Sequence, residues 1–218
     1  GHFNAGGNLM SQDQNVLSNS AGTLVVPDLF SLTNVSGNPG ITQIVSQKKI
    51  NSLYGAVGVN WDGYLFLDAT FRNDWSSALA KAHRSYFYPS LNLSWVITDM
   101  ISNTGHTAPG WLTYAKVRAS AASAGNDMKP YQLYNTYTIN RDPLGSTTAS
   151  PGTVLFNPNV VNELMKSYEA GLEARFFDNR FGLDVTVYKS NSTNQLINLP
   201  MDPLSGYQYK KINAGDVQ

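Results

Sequence analysis

Three carboxylates in the second half of the chain, Glu169, Glu173 and Asp184, have the residue type needed for acid–base chemistry. Two carboxyl groups held close together can divide the roles of general acid and general base. The hairpin derived below places Glu173 directly opposite Asp184, with Arg175 and Arg180 nearby. A lattice of charges lining a wet surface explains this arrangement more simply. We therefore expect no catalysis from these residues.

The other reactive side chains form no catalytic or metal-binding motif. His2, His83 and His106 are the only histidines, and none belongs to an HExxH motif or to a GxSxG elbow. The chain has no cysteine, so it has no thiolate metal site and no disulfide. Its glycine pairs match no phosphate-binding spacing. The sequence predicts no enzyme, no cofactor and no metal ion.

The composition excludes some classes of protein and leaves membrane strands possible. The formal net charge is zero, with 15 Lys and Arg against 15 Asp and Glu, which argues against a nucleic-acid partner because such proteins carry a basic face. Charged residues make up only 14% of the chain, against roughly 25% in soluble domains. No apolar run reaches the roughly 18 residues of a membrane helix. Membrane strands need only about 9–11 residues of alternating character.

The clearest strand pattern spans Ser167–Ser190 and predicts a hairpin. Apolar and polar residues alternate on both sides of Asp178-Asn179, a pair that suits a two-residue turn because both residues tolerate positive φ. Counting from this turn places Leu172 opposite Val185 and gathers the apolar residues on one face. They are Ala170, Leu172, Ala174, Phe176, Phe181, Leu183, Val185 and Val187.

A second hairpin is predicted over Leu53–Asn73, around Asp62-Gly63. A two-residue turn would place Val59 opposite Phe66 and would mix the apolar face with the polar one. An odd-length loop, such as residues 62–64, or a bulge aligns the two apolar faces. We therefore predict one of these two solutions.

Shorter alternating segments predict further strands near His2–Met10, Ser85–Ile97, Leu112–Ala121 and Gln208–Gln218. The predicted short turns lie near residues 62–64, 98–110 and 178–179, and the predicted long loops cover residues 11–49, 74–84, 122–166 and 191–207. Short turns at one end and long loops at the other are typical of an outer-membrane barrel. Aromatic residues at strand ends fit the girdles of such a barrel. They are Trp61, Tyr64, Tyr86, Trp95, Trp111 and Phe177.

Several short segments carry a more specific signal. They are FLDATFRNDWSS at 66–77, YFYPS at 86–90, LSWVI at 93–97, AKVRAS at 115–120, GN at 125–126 before PYQ at 130–132, EAGLE at 169–173, FDNR at 177–180 and NAGDV at 213–217. In this order, they resemble the SusC/RagA-like family of TonB-dependent outer-membrane transporters. The similarity covers roughly residues 53–218.

This resemblance implies an all-β fold, in which antiparallel up-and-down strands form about a third of a transmembrane barrel of about 22 strands. Residues 1–218 would be a partial barrel of roughly seven or eight strands without the plug domain, with the long loops extracellular and the short turns periplasmic. An open sheet cannot stand alone in a bilayer, because its edges would leave backbone groups unpaired. We therefore expect a fragment, located in the outer membrane of a Gram-negative cell.

The resemblance also implies a nutrient importer that moves glycan oligomers or oligopeptides into the periplasm. Its implied partners are a SusD-like surface lipoprotein, TonB (engaged through a missing N-terminal region) and outer-membrane lipid. The candidate substrate contacts are aromatic residues of the predicted loops, where selectivity would lie. They are Trp75, Tyr131, Tyr134 and Tyr137.

Two alternatives remain open at this point. A passive porin-type barrel would have the same strands but neither plug nor lipoprotein partner. A soluble all-β carbohydrate-binding module would bury the apolar face around Leu172 and Val185 as its core.

Overall fold

The computed structural model describes residues 1–142 and 144–217, and these residues lie mainly in strands. The strands are β1 (His2–Ser20), β2 (Gly40–Trp61), β3 (Leu65–Ser76), β4 (Ser85–Val96), β5 (Leu112–Asn126), β6 (Tyr137–Arg141), β7 (Thr147–Pro151), β8 (Val154–Leu155), β9 (Glu163–Phe176), β10 (Phe181–Thr193), β11 (Leu196–Pro200), β12 (Tyr209–Asn213) and β13 (Asp216–Val217). The helical elements within these ranges are α1 (Ile97–Asn103) and a 3-10 turn (Pro203–Ser205). No helix among the described residues has the length and apolar character needed to cross a membrane.

Eight strands form one sheet in the order β1-β2-β3-β4-β5-β9-β10-β13. All neighbouring pairs are antiparallel, and the order follows the chain except where smaller strands intervene. The strands β6 and β7 form a separate hairpin, and β11, β12 and β8 form a small third sheet. The predicted all-β, up-and-down arrangement is confirmed.

The β9–β10 hairpin has the predicted register. Leu172 lies opposite Val185, and Glu173 lies opposite Asp184. The turn places both Asp178 and Asn179 at positive φ, 56° and 65° respectively. These two residues tolerate the left-handed region better than most, so the turn chemistry and the apolar alternation select the same register.

The β2–β3 hairpin has the odd-length loop that its parity requires. Trp61 pairs with Leu65, which leaves residues 62–64 as the loop, and Val59 consequently faces Leu67. Asp62 and Gly63 have φ of 47° and 76°. The extra residue keeps the apolar side chains of β2 and β3 on one face of the sheet.

The two faces of the large sheet differ in chemistry. On the apolar face, Leu67, Leu93 and Leu172 remain 40%, 40% and 42% exposed, because no second layer of the described residues covers them. The face that a soluble module would bury as its core is therefore open. Trp61, Trp111 and Phe177 lie exposed at the short-turn end of the sheet (the end that carries residues 62–64, 97–111 and 177–180).

A small core lies on the opposite, polar face. The connections at the other end of the sheet, here called the long-connection end, fold inward and bury Ala78, Leu79, Tyr86, Met128 and Val160 together. The prediction that Tyr86 belongs to an interfacial girdle was wrong. Its side chain lies on the same face as that of Asp74, its cross-strand partner, and is only 7% exposed.

The predicted loop over residues 11–49 was too long. Strand β1 continues to Ser20 and β2 begins at Gly40, so the two strands extend past the end of β3 as a two-stranded ribbon in which Ser11–Ser20 pairs with Gly40–Lys49. Much of this ribbon is polar on both faces, so its sequence shows no apolar alternation. The main-chain ladder forms there without such a signal.

The other predicted connections also contain regular structure. The loop predicted at 74–84 shortens because β3 continues to Ser76, and the loop predicted at 122–166 contains the end of β5, the strands β6 to β8 and the start of β9. The loop predicted at 191–207 contains the end of β10, β11 and the 3-10 turn, and the turn predicted at 98–110 contains most of α1. The alternation of apolar and polar residues does not predict these short or water-exposed strands, because they have no continuous apolar face.

The predicted last strand, Gln208–Gln218, is divided, and Gln218 itself lies outside the described residues. Strand β12 lies outside the large sheet and pairs with β11 and β8. Strand β13 alone belongs to the large sheet, where it pairs with β10. The chain turns between them at Gly215, where φ is 96°. The Asn213 side chain holds this turn by donating to the carbonyls of Val161 and Asn194.

Candidate substrate-binding cleft

A cleft of about 740 Å³ opens on the polar face at the long-connection end. One wall is the base of the β1–β2 ribbon, and the opposite wall consists of the last residue of β5 and the segment after it, residues 126–132. Its lining includes Gln12, Gln14, Ser46, Lys48 and Tyr131. Amide, hydroxyl and ammonium groups thus alternate with aromatic and aliphatic surface, a combination suited to binding a polar oligomer.

Asp127 attaches the segment after β5 to the wall of the sheet. Its carboxylate accepts a hydrogen bond from Lys48 Nζ at 2.5 Å, and its second oxygen accepts one from the hydroxyl of Ser76. Lys48 also lies 3.4 Å from the carbonyl oxygen of Met128. The side chains of Lys48 and Asp127 are only 18% and 6% exposed, so this ion pair is screened less than a surface pair.

A second polar cluster stabilises the wall beside this attachment. Arg72 Nε donates to Asp74 at 2.8 Å, and an Arg72 Nη atom donates to Ser52 at 3.0 Å. The hydroxyl of Tyr88 donates to the other carboxylate oxygen of Asp74. These hydrogen bonds join β2, β3 and β4 through a half-buried cluster, which stiffens the sheet on its polar face.

The small third sheet supports the segment after β5 from the other side. Lys211 on β12 donates from Nζ to Gln132 Oε1 at 2.8 Å and lies over the Phe156 ring. Burial lowers the pKa of Lys211, the neighbouring Lys129 lowers it further, and Glu163 raises it. Lys48 and Lys129 line the cleft, and Lys211 contacts it through Gln132.

The four predicted substrate contacts do not form one site. Tyr131 lines the cleft, and its Oη accepts a hydrogen bond from the backbone N–H of Gln47 at 3.1 Å. Tyr134 and Tyr137 are 68% and 64% exposed and lie outside the cleft lining. The prediction that Trp75 lies in a loop was wrong. It is part of β3, where strand alternation places its side chain on the apolar face with Phe71.

Sequence reasoning missed Lys48, Asp127 and Ser76, which build the cleft. Lys48 and Asp127 are 79 residues apart, and Ser76 and Asp127 are 51 apart. Each belonged to a predicted loop or to its border, and no motif joins them. Only the pairing of β2 with β3 and the return of the segment after β5 bring them together.

The carboxylates considered for acid–base chemistry lie further down the polar face, and each has a guanidinium partner. Asp184 accepts from Arg118 Nη2 at 2.9 Å, and Glu173 accepts from Arg175 Nη2 at 2.9 Å. Arg118 Nε also lies 3.8 Å from Glu169. This is the charge lattice expected from the sequence, with Arg118 in the place where Arg180 was anticipated.

Comparison with known proteins identifies the family of this chain. The family model described as "TonB dependent receptor-like, beta-barrel" matches residues 3–218. The chain belongs to this family. Receptors of the family are β-barrels of the outer membrane of Gram-negative bacteria, which is the location of this barrel segment. Its relatives are receptors and transporters, and the barrel segment is not an enzyme.

The similar proteins are much longer than the barrel segment. TonB-dependent receptor P3 of Formosa agariphila is 25% identical over 179 residues, which are 80% of this chain and 17% of the relative. TonB-dependent receptor P26 of the same organism is 23% identical over 89% of this chain and 20% of its own length. The structure of the RagAB peptide transporter matches 97% of this chain and 24% of that chain, with a TM-score of 0.80 and 22% identity. The barrel segment therefore spans between a sixth and a quarter of these proteins.

Proposed function

We propose that this chain is part of the wall of a TonB-dependent importer, which moves a glycan oligomer or an oligopeptide across the outer membrane into the periplasm. The observation that carries the proposal is the cleft at the long-connection end, on the polar face of a sheet whose other face is apolar and open. A barrel closed from such a sheet has its polar face toward the lumen. The cleft then lies at the mouth of the transport path.

The lengths of the connections support an orientation in the membrane. Barrels of the outer membrane have short periplasmic turns and longer extracellular loops, so residues 62–64, 97–111 and 177–180 belong on the periplasmic side. The segments between β1 and β2, β3 and β4, β5 and β9, and β10 and β13 belong outside the cell. The cleft is then open to incoming substrate, and Tyr131 is its first aromatic contact.

The similar importer supports the proposed partners. RagAB is described as a peptide importer with closed and open states, and the fold similarity supports a comparable assembly here. A SusD-like surface lipoprotein would cover the extracellular end, and TonB would act through a plug-bearing region upstream in the full-length protein. The described residues contribute binding, by hydrogen bonds, stacking and charge, without any covalent step.

The test uses the full-length receptor in its own cells, with fluorescent oligopeptides and glycan oligomers as probes. Removing the TonB-engaging segment should abolish uptake of the imported probe while leaving the amount of receptor in the outer membrane unchanged. A passive porin-type barrel predicts the opposite result, because diffusion through an open lumen does not depend on TonB. Uptake that continues at the same rate without TonB would overturn the proposal.

A further inference from the structure

On one edge of the β1–β2 ribbon, the hydrogen bonds between β2 and the chain after β3 end beside the cleft. Strand β3 stops at Ser76, and Ser77 forms the last contacts with β2, donating from its backbone N–H to the Lys49 carbonyl and accepting from the Lys49 N–H through its hydroxyl, both at 2.9 Å. The next N–H on this edge belongs to Gln47, whose partner is the Tyr131 hydroxyl at 3.1 Å. A side-chain oxygen here occupies the place of a neighbouring strand's carbonyl.

Beyond Gln47 the edge is open. In an antiparallel strand the N–H and C=O of every second residue point to the same side, so the main-chain groups of Val45, Gln43 and Ile41 follow those of Gln47 and Lys49. Within residues 1–142 and 144–217, these three residues have no hydrogen-bond partner on that side. Val45 and Ile41 are also 56% and 69% exposed.

This edge lacks the features that usually protect an exposed strand. Folded proteins block such edges with charged residues, prolines, bulges or very short strands. The segment Ile41–Gln47, ITQIVSQ, contains no charge and no proline, and its pairing with β1 continues without a bulge. Its β-branched residues favour an extended conformation. This segment is therefore suited to main-chain pairing with another extended chain.

The missing neighbour is not a barrel strand. On this side of β2 the next strand of the sheet is β3, which is already present and has ended. The cleft lies directly below the open edge, where Ile44 and Ser46 line it together with Gln12, Gln14 and Tyr131. A chain lying along the edge would therefore direct every second side chain into the cleft.

We propose that the open edge of β2, from Ile41 to Val45, binds an extended oligopeptide as an added strand, with Tyr131 marking the inner end of the site. This inference rests on the proposed import function and names its substrate class. Main-chain hydrogen bonds supply affinity for peptides of many sequences. Every second side chain of the peptide contacts the cleft, which supplies selectivity, as in other cases of strand addition. An oligosaccharide does not match a row of donors and acceptors that repeats about every 6.7 Å.

Replacing Val45 with proline tests the edge directly. Proline removes the N–H that points toward the open side and places its ring there, while the ladder between β1 and β2 on the other side keeps its hydrogen bonds. Val45→Ala is the matched control, because it removes the same side chain and keeps the N–H. In the full-length receptor, Val45→Pro should weaken binding of a capped octapeptide of Gly, Ser, Thr and Val by about tenfold or more, and Val45→Ala by about twofold or less.

Modified peptides test the same site without altering the protein. N-methyl groups on two adjacent central residues block both edges of an extended peptide, whereas the same groups on the two terminal residues leave its centre free to pair. The wild-type receptor should bind the centrally methylated octapeptide about tenfold more weakly than the terminally methylated one. This comparison still decides the question if Val45→Pro fails to reach the membrane.

The outcomes separate this inference from the proposed function. Equal affinity for both methylated peptides, or TonB-dependent import of a linear gluco-oligosaccharide without any peptide binding, overturns the edge site and leaves the import function standing. A Val45→Pro variant that loses the lipoprotein partner but keeps its affinity for peptide shows that a protein strand covers the edge, and also overturns the inference. Loss of TonB dependence overturns the proposed function itself.

Discussion

Arg118 on β5 reaches Asp184 on β10 across the whole width of β9, with Nη2 2.9 Å from the carboxylate oxygen. The residue between them on β9 is Gly171, the cross-strand partner of both Arg118 and Thr186. A Cβ on Gly171 would lie 2.5 Å from Arg118 Nε. Because Gly171 has no side chain, the Arg118 guanidinium can cross β9 at this position and connect three strands of the polar face.

Gly171→Ala should destabilise the barrel because the new methyl group displaces the Arg118 guanidinium from Asp184. We expect a loss of about 1–2 kcal/mol in the free energy of unfolding of the full-length receptor, measured by urea titration in lipid bilayers. Gly182→Ala is the control, because a Cβ at that position meets nothing within 4 Å, and it should be neutral or slightly stabilising. Equal losses for both variants would show that Arg118 does not need the glycine at position 171 to reach Asp184.

The two faces of β5 should tolerate a new charge very differently. Ala119 faces the apolar side opposite Leu93, and Ser120, its neighbour in sequence, faces the polar side opposite Glu169. Ala119→Arg should cost about 2–4 kcal/mol, as expected for a cation on the lipid face near the bilayer midplane, whereas Ser120→Arg should cost less than about 1 kcal/mol beside a carboxylate. The yield of folded receptor and its unfolding in bilayers measure both effects. Similar costs for the two variants would contradict the assignment of the faces.

Asp127→Asn should loosen the cleft wall because Lys48 loses its charged partner in a half-buried site. We expect a local destabilisation of about 1–3 kcal/mol, seen as faster chymotrypsin cleavage after Tyr131, Leu133 and Tyr134. Asp13→Asn, on the exposed part of the ribbon, is the control and should leave the cleavage rate unchanged. If Asp127→Asn is cleaved no faster than the wild type, the Lys48 contact does not hold the segment.

Substitution of the four candidate aromatic residues should produce unequal losses of substrate affinity. Tyr131→Ala should weaken binding of the imported oligomer by about tenfold, because Tyr131 lines the cleft and also bonds to Gln47. Trp75→Ala should leave affinity unchanged, because its side chain lies on the apolar face. Titration of the purified receptor with a labelled oligomer provides the comparison. A larger loss of affinity for Trp75→Ala than for Tyr131→Ala would show that the oligomer binds outside the cleft.

The strands that cross the sheet could be predicted because each has one apolar face and one polar face. Leu172 opposite Val185, and the odd loop between Trp61 and Leu65, follow from parity alone, since a slip of one residue would exchange the faces. Asp178-Asn179 supports the same register through its tolerance of positive φ. Predictions of this kind succeed wherever turn chemistry and burial impose the same constraint.

The ribbon and the small third sheet could not be predicted in this way. From Ser11 to Ser20 the strand is largely polar on both faces, so its sequence pattern does not differ from that of a loop. Strand β12 resembles a continuation of the barrel, but the Asn213 contacts and the turn at Gly215 direct it to β11 instead. Main-chain pairing of a water-exposed strand does not require a particular order of apolar and polar side chains.

The sequence by itself determined the family, the strand register and the division of the sheet into an apolar and a polar face. Each of these depends on neighbours along the chain or on a period of two residues. Only the tertiary structure decided which groups meet at the cleft: Lys48 with Asp127, Tyr131 with the edge at Gln47, and Arg118 with Asp184. Those contacts join segments more than 60 residues apart, and their partners are selected by how the connections fold back onto the sheet, which local pattern does not encode.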